Sequence, residues 1–71
     1  MITIDLEETY SGTTITVLSG INPEIYELRK VKNALKKITG CGKAKISEDH
    51  DIILLGSHVR KVSEFVTRIG F

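Results

Sequence analysis

The sequence predicts an α+β fold: a two-layer sandwich in the order ββαββα, with a mainly antiparallel sheet and both helices on one face. Three observations carry this reading. Ile2, Ile4 and Leu6 alternate with polar residues at the period of a half-buried strand. Two later segments repeat apolar residues at helical spacing, Leu28–Val31–Leu35–Ile38 and Val59–Val62–Val66–Ile69. Short β-branched or apolar stretches precede each of them, and elements grouped this way pack their helices together on one side of a sheet. With 71 residues the chain has room for one small domain, residues 1–71, and no linker, repeat or low-complexity segment interrupts it.

Each element has its own local signals. The first strand runs through Ile2, Ile4 and Leu6, and Glu7-Glu8-Thr9-Tyr10-Ser11-Gly12 reads as the turn of a hairpin ended by a glycine. Thr13 to Leu18 is β-branched and alternating, with Ile15 and Val17 on one face, and forms the second strand. Asn22-Pro23 reads as a helix start, because Asn is a favoured cap and proline loses nothing in a first turn. Gly40 then stands where a glycine ends a helix. Ala44 and Ile46 alternate with Lys43 and Lys45 as a short third strand, and Ser47–Asp51 is a polar turn. Ile52–Leu55 is a fourth strand, apolar on both faces, as expected for a central position or for an outer face covered by something. Ser57 is the expected cap of the second helix. Gly70 and Phe71 fit a glycine-terminated ending in which Phe71 packs back on Val66.

Composition removes several functional classes. Hydrophobic residues make up 41% and charged residues 27%, which is the balance of a folded chain and not of a disordered tail. One cysteine allows no internal disulfide framework and suits a reducing compartment. The longest apolar run is four residues, far short of the roughly 20 that span a bilayer. The start Met1-Ile2-Thr3-Ile4-Asp5 has neither part of a secretory signal, so a cytoplasmic protein without membrane contact is expected.

The net charge of +1 hides a strong asymmetry. Residues 1–28 carry five acids and no Lys or Arg, whereas residues 29–71 hold all ten Lys and Arg. Within residues 29–45 alone stand Arg29, Lys30, Lys32, Lys36, Lys37, Lys43 and Lys45, with no acid between them. A helix built only for solubility usually interleaves Glu with Lys. A block of one sign is instead the footprint of a polyanion partner, the alternative being a solvated lysine face.

Catalytic material is thin. Cys41 with His50 or His58 makes a nominal dyad, yet a cysteine between two glycines is more often just a small turn residue. Cys41, His50, His58 and Asp51 lack the spacing of a zinc site. Gly42-Lys43 follows a helix instead of opening one and lacks the hydroxyl residue of a phosphate-binding P-loop. Four aromatics give little support for base stacking, with Tyr10 and Tyr26 the available candidates. No enzyme and no cofactor is expected. What remains is charge at defined places: the helix flank Arg29, Lys32, Lys36, then Lys30 and Lys37, then the turn Gly40-Cys41-Gly42 with Lys43 and Lys45. The start of the second helix, Gly56-Ser57-His58-Val59-Arg60-Lys61, offers amides, a hydroxyl and two cations to a phosphate. Plain capping is the simpler role for Ser57, and a half-packed ring the simpler role for His58.

These residues carry a resemblance. Leu28–Lys37 (LRKVKNALKK), the Gly40-Cys41-Gly42 turn and Gly56–Phe71 (GSHVRKVSEFVTRIGF) resemble the eukaryotic translation initiation factor 1 family with its archaeal and bacterial homologues. Thr16–Ile21 is similar to the family's entry into its basic helix, and the likeness covers about residues 13–71. It implies a small α/β sandwich that binds rRNA of the small ribosomal subunit and influences start-codon selection. The implied RNA-binding residues are Arg29, Lys30, Lys32, Lys36 and Lys37 of the helix, Gly40, Cys41, Gly42, Lys43 and Lys45 after it, and Gly56, Ser57, His58, Arg60 and Lys61. Other initiation factors and initiator tRNA are implied as further partners of a monomeric, divergent member. The chain departs from the family in three places: an acidic first loop with Glu7 and Glu8, Ser57 where Asp is usual, and Val59 where Arg is usual, with Arg60 next to it. The acidic loop is expected to turn away from RNA. Two rival readings from the residues themselves are a general RNA-binding module and a protein-interaction domain using Ile52–Leu55 or the acidic loop.

Overall fold

A computed structural model describes residues 1–70 and contains β1 (Thr3–Glu8), β2 (Thr14–Ser19), α1 (Leu28–Thr39), β3 (Ala44–Ile46), β4 (Ile52–Leu55) and α2 (Val59–Ile69). The element order is the expected ββαββα. The strands form one antiparallel sheet in the order β1-β2-β4-β3, so β4 is central, with Ile52 and Leu54 buried on one face and Ile53 and Leu55 lying on the other.

Register explains the core. Two rows cross the sheet on the face under the helices: Ile4–Leu18–Ile52–Ile46 and Leu6–Thr16–Leu54–Ala44. Leu18, Ile52 and Leu54 are buried there with Leu28 and Leu35 of α1 and Val62 of α2. Phe65, Val66 and Val31 pack around this cluster. α1 lies mainly over β3 and β4, and α2 reaches β1. Ile15 and Val17 do share a face, but it is the opposite one, which no helix covers.

Several boundaries differ from the sequence reading, each for a physical reason. The first hairpin is longer than expected: Glu7 and Glu8 are paired in β1 with Ile15 and Thr14, and only residues 9–13 turn. Strand alternation then sends Glu7 and Glu8 to opposite faces, so there is no acidic loop. The tip is neutral, and it is tied by Thr9 N–H to the Thr13 carbonyl at 2.8 Å and by hydroxyl contacts linking Thr9, Ser11 and Thr13.

The Asn22 cap also works differently. Its Oδ1 accepts from Glu24 N–H at 2.9 Å, but it closes one isolated turn in which Ile25 is 70% exposed. That turn does not propagate, because Glu27 is extended, and α1 starts at Leu28. At the other end Gly40 takes φ +70° and gives its N–H to the Lys36 carbonyl, as expected.

Ser57 does not cap α2. The N-cap is His58, whose backbone N–H goes to Thr16 Oγ1 at 2.9 Å. The apolar stripes reach further than the sheet: Ile38 and Ile69 are roughly half exposed, at 46% and 49%. β3 and β4 have three and four residues against twelve in α1, so the helices overhang the strands. The expected packing of Phe71 on Val66 lies outside the described residues.

Candidate nucleic-acid interface

Topology brings separate segments to one end of the sheet. β2 begins at Thr14, β3 begins at Ala44 and β4 ends at Leu55, and in the antiparallel register all three positions are at the same pole. The last turn of α1 must reach that pole to enter β3, and α2 must leave from it. Lys36, Lys37, Gly40, Gly42, Lys43, Gly56, Ser57, His58, Arg60 and Lys61 therefore gather around one end, together with the hairpin tip. Lys45 stands one step along β3. Arg29 and Lys30 belong to the far turn of α1, about 10 Å along the axis from Lys36 and Lys37.

Two surface features mark the pole. A groove of about 610 Å³ has Thr9, Ser11 and Thr13 of the hairpin on one side, Lys36, Lys43 and Lys45 on the other, and Ile15, Ile53 and Leu55 as its floor. A second depression, of about 800 Å³, is lined by Thr39, Ser57, His58, Arg60 and Lys61, where α1 ends and α2 begins. Arg29, Lys32 and Lys36 follow one flank of α1 while Lys30 and Lys37 occupy its outward face, so the helix joins both features to a continuous basic surface.

Most of these charges are free of local partners. Lys30 is 3.6 Å from Glu27 and Arg60 is 3.8 Å from Glu64, both in exposed pairs that screen weakly. Among the described residues, Arg29, Lys32, Lys36, Lys37, Lys43, Lys45 and Lys61 form no ion pair. Neighbouring cations without acids raise the local potential, which favours a multiply charged anion.

The pole rests on buried polar contacts that the pattern of apolar residues does not reveal. Thr16 is fully buried on the helix face of β2. Its Oγ1 donates to the Gly56 carbonyl at 2.8 Å while accepting from His58 N–H, which fixes where α2 departs from β4. The His58 ring turns back on the sheet, with Nε2 2.8 Å from the Leu55 carbonyl. Gly56 has φ +99°, a left-handed backbone conformation that favours glycine, and a Cβ there would also press on the His58 ring at 2.9 Å from Nε2. Thr39, also buried, donates from Oγ1 to the Leu35 carbonyl at 2.7 Å and accepts from Cys41 N–H at 3.3 Å, turning the chain toward β3. A threonine opposite a leucine on a core row is the available sequence signal for Thr16, and it is a weak one.

Cys41 needs correcting as a contact residue. Its side chain belongs to the hydrophobic core, 8% exposed, so Gly40, Gly42 and Lys43 are what the turn presents outward. Of the two histidines in the nominal dyad, His50 sits in the β3–β4 turn at the opposite end of β3 from Cys41, whereas His58 lies at the same pole with its Nε2 2.8 Å from the Leu55 carbonyl. Tyr26 packs against the core, whereas Tyr10 is fully exposed at the hairpin tip.

With this geometry in place, comparison with known proteins decides the family. The family model described as "Translation initiation factor SUI1" matches residues 1–71. This chain belongs to the SUI1 family. It is 33% identical over 60 residues to a protein translation factor SUI1 homolog of Thermoplasma volcanium, covering 84% of this chain and 59% of that protein. A SUI1 homolog of Methanocaldococcus jannaschii is 32% identical over 60 residues, again covering 84% of this chain and 56% of the relative. The SUI1 chain described here thus spans somewhat over half the length of these curated relatives. No helix among its described residues is long and apolar enough to cross a membrane. The likeness read from LRKVKNALKK and the glycine-led start of α2 is the same family under its other name.

Proposed function

We propose that this SUI1-family chain acts in translation initiation as a non-enzymatic, cytoplasmic factor that docks its basic pole on rRNA of the small ribosomal subunit and influences start-codon selection. The observation that supports it most is the convergence of Lys36, Lys37, Lys43, Arg60 and Lys61, from three separate segments, at one end of the sheet. In this reading the α1 flank and Lys43 neutralise backbone phosphates. The amides at the start of α2 hold another phosphate, since no side chain occupies them as a cap. Such contacts orient the protein on a folded RNA without reading its sequence, which suits recognition of a ribosomal surface by shape. The neutral hairpin tip, bearing Tyr10, is free to approach RNA or initiator tRNA at the same end, and the repulsion expected from an acidic loop falls away.

Pelleting of the chain with purified small subunits tests this. Co-sedimentation with small subunits at physiological salt, weaker binding to large subunits, and competition by other initiation factors are the expected results. Equal sedimentation with both subunits, or with any RNA of similar length, would leave only a general RNA-binding module. No sedimentation would favour the protein-interaction reading.

A further inference from the structure

The face of the sheet that no helix covers, one end of which floors the groove beside Lys43 and Lys45, carries a charge pattern of its own. Its register contains two parallel rows, Asp5–Val17–Ile53–Lys45 and Glu7–Ile15–Leu55–Lys43. Lys43 joins the second row through the hydrogen bond from Leu55 N–H to its carbonyl at 3.0 Å. Each row runs acid, apolar, apolar, base. The face is therefore three stripes: acidic along β1, aliphatic along β2 and β4, basic along β3. Acid and base of one row are three strand spacings apart, about 14 Å, too far to pair within the chain. Among the described residues none of the four forms an ion pair; in the middle stripe Val17 is only 7% exposed, Ile15 and Ile53 are half-buried and Leu55 is 40% exposed.

We infer that this face binds a second copy of the same chain. A surface patterned in this way is complementary to itself under one of the two in-plane two-fold axes. An axis parallel to the strands lays β1 of each copy over β3 of the other, so that Asp5 and Glu7 face Lys45 and Lys43 twice while the aliphatic stripes meet between them. An axis perpendicular to the strands would stack acid on acid and base on base. The charges thus select a closed, isologous dimer of two aligned sheets. With Val17 already buried, the stripe offers Ile15, Ile53 and Leu55 of each copy, which puts the contact in the weak class, below about 1,200 Å² in total. The chain is accordingly a monomer when dilute and pairs when concentrated. Because Lys43 and Lys45 also lie on the basic surface, pairing and RNA docking exclude each other in part.

The decisive experiment is a charge swap followed by sedimentation equilibrium at low ionic strength. The wild type is expected to rise toward twice the chain mass with concentration, and to lose that rise as salt approaches 1 M, where the screening length is about 3 Å. Asp5→Lys with Glu7→Lys makes both edges basic, and Lys43→Glu with Lys45→Glu makes both acidic. Each double variant alone should stay monomeric, while their equimolar mixture should associate at least as well as wild type. All four side chains are exposed, and circular dichroism of each variant verifies its fold. A wild type that stays monomeric at millimolar concentration would overturn the inference. So would single double-variants that still dimerise, or a mixture that remains monomeric. The acid-side variant touches none of the residues proposed for RNA. If it pellets with small subunits as wild type does and the mixture fails to associate, the dimer falls and the RNA reading stands.

Discussion

Single residues at the pole have structural duties that their types conceal. Thr16 satisfies one carbonyl and one amide that are otherwise enclosed beside the β4–α2 junction. Thr16→Val keeps the shape and removes both bonds, and an enclosed polar group left unpaired costs about 1–3 kcal/mol. A drop of that size in unfolding free energy by urea titration is expected, with reduced subunit binding because Arg60 and Lys61 lose their anchor. A variant as stable as wild type would show that water replaces the hydroxyl. Cys41 gives a second case. In a solvent-facing glycine turn, serine would replace it without effect. In the core, the added hydroxyl meets no partner, and Cys41→Ser should cost about 1–3 kcal/mol while Cys41→Ala costs less. The order of the two melting temperatures checks this directly.

Helix α1 separates its two tasks by face. Leu28, Leu35 and Thr39 are buried against the sheet, while the cations stand on the flank and back. Charge removal on the outer faces should therefore leave the fold intact. Replacing Lys32, Lys36 and Lys37 by Ala deletes up to three phosphate contacts, so the slope of log affinity against log salt should flatten by roughly two to three units. Alanine is also the best helix former, and relief of repulsion among like charges should keep the melting temperature level or raise it slightly. An unchanged slope would remove α1 from the interface. Lys32 is half-buried, and its contribution to the slope should be the smallest of the three.

Across the whole molecule, placement of charge matters more than its sum. The longest dimension is 34 Å, several times the screening length of about 8 Å at physiological salt. Glu48 and Asp49 lie in the β3–β4 turn, at the end of the sheet away from Lys43. Changing both to Lys raises the net charge by four, yet binding to small subunits at physiological salt should change less than about twofold, because that turn is screened from the docking pole. Non-specific retention on a polyanion column should rise. A large gain in subunit affinity would mean that net charge alone drives association.

The sequence by itself determined the two helical stripes, the order ββαββα, the doubly apolar strand Ile52–Leu55 and the glycine stop at Gly40. Each follows from local periodicity or from a backbone conformation that few residues tolerate. It also showed which cations belong together along α1, since helix geometry is regular. Tertiary structure decided the rest, because the deciding contacts join residues far apart in the chain. Pairing with β2 drew Glu7 and Glu8 into a strand and parted them, where composition alone marked a loop. Ser57 leaves the amides of α2 uncapped, and Thr16 instead holds the backbone N–H of His58, because β2 lies beside that junction although it is 42 residues away in the chain. The striped outer face arises only when register sets β1 and β3 at opposite edges. Asp5 and Lys45 are far apart in sequence and never touch, and only the sheet between them makes them two ends of one surface.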